Sequence, residues 1–257
     1  MAVGRYTSAA GTIRTLTESW NGTRWTIRDA YGTGLISVSC SSRTDCVAVG
    51  DLLSETWNGW AWTVHTVPQS PASVGPGLNA VSCAAPTACV AVGSVDYAVT
   101  PLAETWNGVG WTIQNTPASP SGGYGLAGVS CISATDCEAV GGAALAHWAF
   151  VVWDGNSWTL QPLQDAPSDQ YHDLLKAISC SSATACTAVG VAAGVLGYFG
   201  SLIAVWNGTV WTITRLVYGD YEELNAVFCT SATACVIVGA VINGAPEGSR
   251  PVIVRGS

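Results

Sequence analysis

Charge is what this sequence has least of. Lys, Arg, Asp and Glu make up 10% of its 257 residues, against about 25% in an ordinary soluble domain. Lysine occurs once, as Lys176, and methionine once. The arginines do not cluster and the net charge is −8. A nucleic-acid partner is therefore excluded, because phosphate binding needs a basic patch. Long apolar runs are missing too. Nothing approaches the ~18 residues of a membrane-spanning helix, so no membrane insertion is expected. No stretch sustains a helical period. The opening MAVGRYTSAA lacks the apolar core of a signal peptide.

What the chain does have is cysteine, tryptophan and repetition. Its ten cysteines fall as Cys40/Cys46, Cys83/Cys89, Cys131/Cys137, Cys180/Cys186 and Cys229/Cys235, each pair a C-x5-C. Five local disulfides are the expected reading, with free thiols as the alternative. Zinc is not expected, because no further His or Cys stands at ligand spacing. Five disulfides call for an oxidising compartment, so an extracellular or cell-surface location is expected, with the export signal outside this chain.

The first cysteines recur at spacings of 43, 48, 49 and 49 residues. The figures WNGTRW (20–25), WNGWAW (57–62), WNGVGW (106–111), WDGNSW (153–158) and WNGTVW (206–211) recur with them. The unit reads L-x-A-V-S-C-x5-C-x-A-V-G … L-x-E-T-W-N-G-x-x-W-T-I. A period of this length built from short β segments fits a four-stranded propeller blade. One copy gives strand a as LNAVSC (78–83), b as CVAVG (89–93), c as PLAETW (101–106) and d as WTIQ (111–114). The expected fold is all-β, one β-propeller domain over residues 1–257. The first residues supply b, c and d without a, and the last supply a, b and c without d. That makes five a, six b, six c and five d strands. Six blades with incomplete terminal blades are expected; five blades, or part of a longer ring, are the alternatives.

Asn-Gly and Asp-Gly are strong hairpin signals, since a type I′ turn needs positive φ at both central residues. With Asn21-Gly22 as a two-residue turn, Trp20 faces Thr23, Glu18 faces Trp25 and Leu16 faces Ile27, all on one sheet face. Indoles on one face suit packing between blades. Glu18, Glu55 and Glu104 stand two residues before the first Trp, where the later copies have Val151 and Ala204. A carboxylate there is expected to accept an indole or backbone N–H. Glutamates at equivalent positions of different blades cannot converge as an acid/base pair.

The stretches ESWNGTRWTI, ETWNGVGWTI and VWDGNSWTL resemble the Asp-box hairpin of sialidase-type propellers. The full unit is similar to repeats of exported actinobacterial propeller proteins, and its period to that of tachylectin-type lectins. The likeness implies a fold and little about activity. Sialidases hold substrate with an arginine trio, and Arg5, Arg14, Arg28, Arg215, Arg250 and Arg255 offer no central set of three.

In such a ring one rim carries the d–a and b–c loops and the other the short a–b and c–d turns. All eight tyrosines fall in or beside d–a or b–c loops. Tyrosine offers flat amphipathic contact area, and loops carry function. The expected ligand-binding residues are Tyr97, Tyr124, Trp148, Tyr171, His172, Asp173, Tyr198, Tyr218 and Tyr221. The expected partner is a glycan, with a peptide or protein as the alternative. His172 beside Asp173 has no nucleophile near it in sequence, and YGDYEEL (218–224) lacks the spacing of a calcium loop. No catalytic residue, metal or cofactor is expected, and the chain is read as a non-enzyme.

Overall fold

The repeat folds as four antiparallel strands because its Val- and Thr-rich segments are short, alternate in polarity and end at Gly, Asn or a cysteine turn. The computed structural model describes residues 1–28, 34–50, 53–68, 77–95, 100–118, 123–143, 146–161, 173–193, 199–216, 221–242 and 249–255. Among them are 22 strands and no helix. The first sheet is β1 (Ala2–Thr7), β2 (Ile13–Trp20) and β3 (Trp25–Arg28). The second is β4 (Leu35–Cys40), β5 (Cys46–Gly50), β6 (Leu53–Trp57) and β7 (Trp62–Thr66). The third is β8 (Gly77–Ala85), β9 (Ala88–Val95), β10 (Thr100–Trp106) and β11 (Trp111–Gln114). The fourth is β12 (Gly125–Ser133), β13 (Asp136–Ala143), β14 (Ala146–Trp153) and β15 (Trp158–Leu160). The fifth is β16 (Leu174–Ser182), β17 (Ala185–Ala193), β18 (Phe199–Trp206) and β19 (Trp211–Leu216). The sixth is β20 (Tyr221–Cys229), β21 (Cys235–Ile242) and β22 (Ser249–Arg255). Strands pair with their sequence neighbours, and the a, b, c and d tally matches the expected one.

The c–d hairpin differs from its expected register. Trp20 pairs with Trp25 and Glu18 with Ile27, so four residues form the connection. The Asn21 carboxamide oxygen accepts the N–H groups of Thr23 and Arg24, both at 2.9 Å, and Gly22 takes φ 103°. Asn58, Asn107, Asp154 and Asn207 do the same in their copies. A side chain that caps two amides makes an Asx turn more favourable than a bare two-residue turn. The lengthened turn brings the two indoles of each hairpin together across the strands, with centroids 5.5–5.6 Å apart.

All five C-x5-C pairs are disulfides: Cys40–Cys46, Cys83–Cys89, Cys131–Cys137, Cys180–Cys186 and Cys229–Cys235. Each joins register partners across the a–b hairpin, with Cα atoms 3.9–4.0 Å apart. Each closes a short loop and stabilises by about 2 kcal/mol at most through chain entropy. They also fill space. Cys46, Cys89, Cys137 and Cys186 stand first or second in their strands b at 1–2% exposure, inside the apolar clusters between sheets.

Among the first five sheets, each packs on the next through one recurrent junction. The Trp106/Trp111 pair lies on Val47 and Val49 of the preceding sheet, Trp153/Trp158 lies on Val90 and Val92, and Trp57/Trp62 packs with Met1 and Val3. A serine rung accompanies it. The hydroxyls of Ser39, Ser82, Ser130 and Ser179 accept the N–H of Cys83, Cys131, Cys180 and Cys229, each one sheet on, at 2.9–3.0 Å. The S-C dipeptide of the repeat thus ties a strand to its neighbour in the next sheet. Ser130→Ala should lower stability by about 1–2 kcal/mol, the cost of leaving the Cys180 amide unpaired. A thermal melt that does not move would remove this role.

Candidate functional site

Strands a of successive sheets pack on one another, β4 on β8, β8 on β12, β12 on β16 and β16 on β20. They therefore form the inner edge of the propeller. Each carries a bulge at the x of L-x-A-V, visible as a register shift between Leu35/Ser37, Leu78/Ala80, Leu126/Gly128, Leu175/Ala177 and Leu224/Ala226. A bulge leaves its extra residue unpaired and re-aims its side chain. The bulged residues are Ile36, Asn79, Ala127, Lys176 and Asn225. They are the most varied positions in an otherwise repetitive strand.

Charge gathers where the fifth and sixth sheets meet. The Lys176 ammonium donates to the Glu223 carboxylate at 2.8 Å and to the Asn225 carboxamide oxygen at 2.9 Å. That contact holds the Glu223 carboxyl below its ordinary range, mainly through the lysine hydrogen bond. The Ser201 hydroxyl donates to Glu222 at 3.2 Å. Nearby on the same rim, Arg215 Nε donates to Asp173 at 2.6 Å. Lys176 and Glu223 keep about a third and a quarter of their side chains exposed, so a ligand can compete for them.

The sequence-derived site residues fare unequally. Tyr124 is 1% exposed, and its hydroxyl donates to the Pro117 carbonyl at 2.7 Å. Its ring closes the third d–a connection and offers no open face. Asp173 is 1% exposed and bound to Arg215, so it supports the rim from within. Trp148 lies on β14 and Tyr221 opens β20. Tyr97, Tyr171, His172, Tyr198 and Tyr218 lie outside the described residues. The cysteines belong to the frame. Cys89 is buried with Trp106 and Trp111, and Cys137 with Trp153 and Trp158. All ten sulfurs are held in disulfides. Lys176, Asn225 and Asn79 were not singled out from sequence. The signal was the x position of L-x-A-V-S-C, which is Ile36, Asn79, Ala127, Lys176 and Asn225 in the five copies.

Cavities recur on the opposite rim, that of the short a–b and c–d turns. Between the second and third sheets a 240 Å³ groove is lined by Asp45, Trp57, His65, Thr87 and Trp106. Between the first and second, a 420 Å³ groove is lined by Trp20, Arg28, Arg43 and Trp57. Burial pushes the His65 pKa down, and its ring meets Trp106 edge-on at 4.8 Å.

Glu104 and Glu138 are buried acids outside the Lys176 cluster. Glu104 is fully buried, and its two oxygens find no hydrogen-bond partner among the described residues. The expectation that it accepts an indole N–H does not hold. The four-residue turn sets it opposite Ile113, two residues beyond the second Trp, and the Trp111 indole donates instead to Ser54 of the preceding sheet at 2.7 Å. Burial raises its pKa to about 7. Glu138, raised to about 7 by burial and by Asp136, lies against the Cys180–Cys186 disulfide. With that pair oxidised, the trio holds no metal.

No protein-family profile and no curated protein matches the chain. Solved structures do. U3-55K is 8% identical over 95% of this chain and 74% of its own, with TM-score 0.63. The WD40 repeats of RRP9 are 9% identical over 94% and 73%, with TM-score 0.61. YCF48 bound to D1 peptide is 12% identical over 92% and 73%, with TM-score 0.53. The fold is a β-propeller. Likeness at such identities carries architecture alone, so function rests on the side chains.

Proposed function

We propose that this propeller is an extracellular, non-enzymatic binding module that takes a peptide or a segment of another protein. Its site is the d–a/b–c rim and channel mouth of the fifth and sixth sheets. The observation that carries this is the Lys176–Glu223–Asn225 cluster, placed by strand bulges at the position where the repeat varies. A partly exposed ammonium, a carboxylate and a carboxamide within one hydrogen-bonded group match the alternating donors and acceptors of a peptide chain. One structural neighbour, YCF48, is seen with a peptide, which supports this ligand class. Five disulfides support an oxidising compartment. A glycan is the second reading, favoured by the tyrosines at 97, 171, 198, 218 and 221 in the rim segments.

A peptide library and a glycan array, both probed with the oxidised protein, test this. The expected result is a peptide set whose binding falls roughly tenfold in Lys176→Ala, the loss of a charged hydrogen bond. Binding indifferent to Lys176 and Glu223 would refute the site, and glycans without peptides would reverse the order of ligands.

A further inference from the structure

Each disulfide is faced by one residue of the preceding sheet, at or just before the start of strand b. Met1 packs on the cluster of Cys46, Val47 shares a cluster with Cys83 and Cys89, and Val90 shares one with Cys131 and Cys137. Thr187 Oγ1 stands 3.6 Å from the Cys235 sulfur. Facing the fourth pair is Glu138, with a carboxylate oxygen within 4.8 Å of both the Cys180 and the Cys186 sulfurs. Of these five facing side chains, only Glu138 ionises.

Exposure does not set this disulfide apart. Cys83, Cys131 and Cys180 are all partly exposed, and their partners Cys89, Cys137 and Cys186 are 1–2% exposed. The carboxyl does. Glu138 is 6% exposed and gains no hydrogen bond or ion pair among the described residues to offset its burial. A polar group buried in this way costs stability, and the valines at 47 and 90 show that the fold does not need it. Its position addresses the two sulfurs instead.

We propose that Cys180–Cys186 is a thiol–disulfide exchange site for an external dithiol, with Glu138 as its proton donor. A thiolate of the dithiol attacks the partly exposed Cys180 sulfur. The S–S bond breaks, a mixed disulfide forms on Cys180, and the electron pair leaves on Cys186. That sulfur is buried, and a bare thiolate in an apolar place is a poor leaving group. The Glu138 proton passes to it as the bond breaks. The second thiol of the reagent then attacks its own sulfur in the mixed disulfide, freeing Cys180 as a thiol and the reagent as a disulfide. Two protons leave the dithiol and two reach the cysteines, with Glu138 reprotonated from solvent. In reverse, the carboxylate takes the Cys186 proton and the bond closes.

Burial and Asp136 raise the Glu138 carboxyl to about 7, so both of its forms are populated at neutral pH. The other charged or titratable groups on the strands about it are Lys176 on β16, Arg215 on β19 and His147 on β14. Lys176 is paired with Glu223 and Arg215 with Asp173. His147 stands well along β14 from Val152, the strand partner of Glu138.

The test is timed reduction of the folded, oxidised protein by dithiothreitol, with released thiols alkylated and each cysteine pair followed by peptide mass spectrometry. Cys180–Cys186 should open first. Glu138→Gln should slow it roughly tenfold or more, as for loss of a general acid, and leave the other four pairs as they were. Glu138→Val, which copies Val47 and Val90, should do the same. Per reagent thiolate, wild-type opening should slow as pH rises from 6 to 8 and Glu138 loses its proton, while both variants stay flat. A merely structural role predicts the opposite order, because removing a buried charge stabilises the variants most at pH 8. The proposal is overturned if Cys180–Cys186 opens no faster than the other pairs, if wild type and variants open alike, or if the variants are slowed most at pH 8.

Discussion

The melting temperature should rise by on the order of 10 °C as pH falls from 8 to 5. Glu104 and Glu138 carry the effect. Each has a folded pKa of about 7, against a value of 4.5 for an unperturbed glutamate. Between those values the folded chain holds the proton that the unfolded chain has released. Stability is therefore fully present below the unfolded value and is lost as pH climbs through 7. Each carboxyl contributes about 3 kcal/mol across that window. His65 opposes them, since burial lowers its pKa and favours its neutral form, but its ring is only partly enclosed. Glu223, with its pKa lowered by Lys176, changes charge below the window. The repeat itself supplies the test substitutions. Glu104→Val copies Val151, and Glu138→Val copies Val47 and Val90. Each should raise the melting temperature at pH 8, leave it nearly unchanged at pH 5 and flatten the profile. A flat wild-type profile, or a steep one in the double variant, would show that these carboxyls are not the buried acids responsible.

Most of the architecture was legible because two motifs punctuate every copy. The cysteine pair brackets the a–b turn and WNGxxW brackets the c–d turn, and together they leave little freedom for the strands between them. The hairpin register was misread for a local reason. Asn-Gly in isolation favours a two-residue turn, but the Asn21 carboxamide can satisfy the amides of Thr23 and Arg24 only if the loop has four residues. Glu104 followed from that error, since its distance from the second indole depends on the loop.

The site was less legible, and the reason is the bulge. In L-x-A-V-S-C a plain alternation assigns x to one face or the other. Only the register shift shows that Lys176 and Asn225 leave the ladder and meet across two sheets. Tyr124 and Asp173 were read as ligand-binding residues from their place in the rim connections. A loop position says nothing about whether a ring or carboxylate turns inward, and both found buried partners, the Pro117 carbonyl and Arg215.

The strongest single substitution should be Gly93→Ala. The glycine closing A-V-G lies opposite the strand a bulge, where a Cβ would stand 1.8 Å from the Gly77 carbonyl oxygen. The same contact recurs at Gly50, Gly141, Gly190 and Gly239, at 1.9–2.1 Å from a strand a carbonyl. That oxygen belongs to backbone and cannot step aside as a side chain could. The bulge must open or strands a and b must part, and either uncovers the apolar junction behind them. A loss above about 4 kcal/mol is expected, which is the range of severe core damage. The chain contains its own control. Gly4 closes the A-V-G of the first sheet, where no strand a runs beside strand b among the described residues, and a Cβ there meets nothing within 4 Å. Gly4→Ala should therefore leave the melt within about 0.5 kcal/mol of wild type, as a surface substitution does. If the two variants melt alike, the glycine serves strand b itself. If only Gly93→Ala fails, the motif exists to let the inner strand bulge, and with it to point Lys176 and Asn225 at the channel.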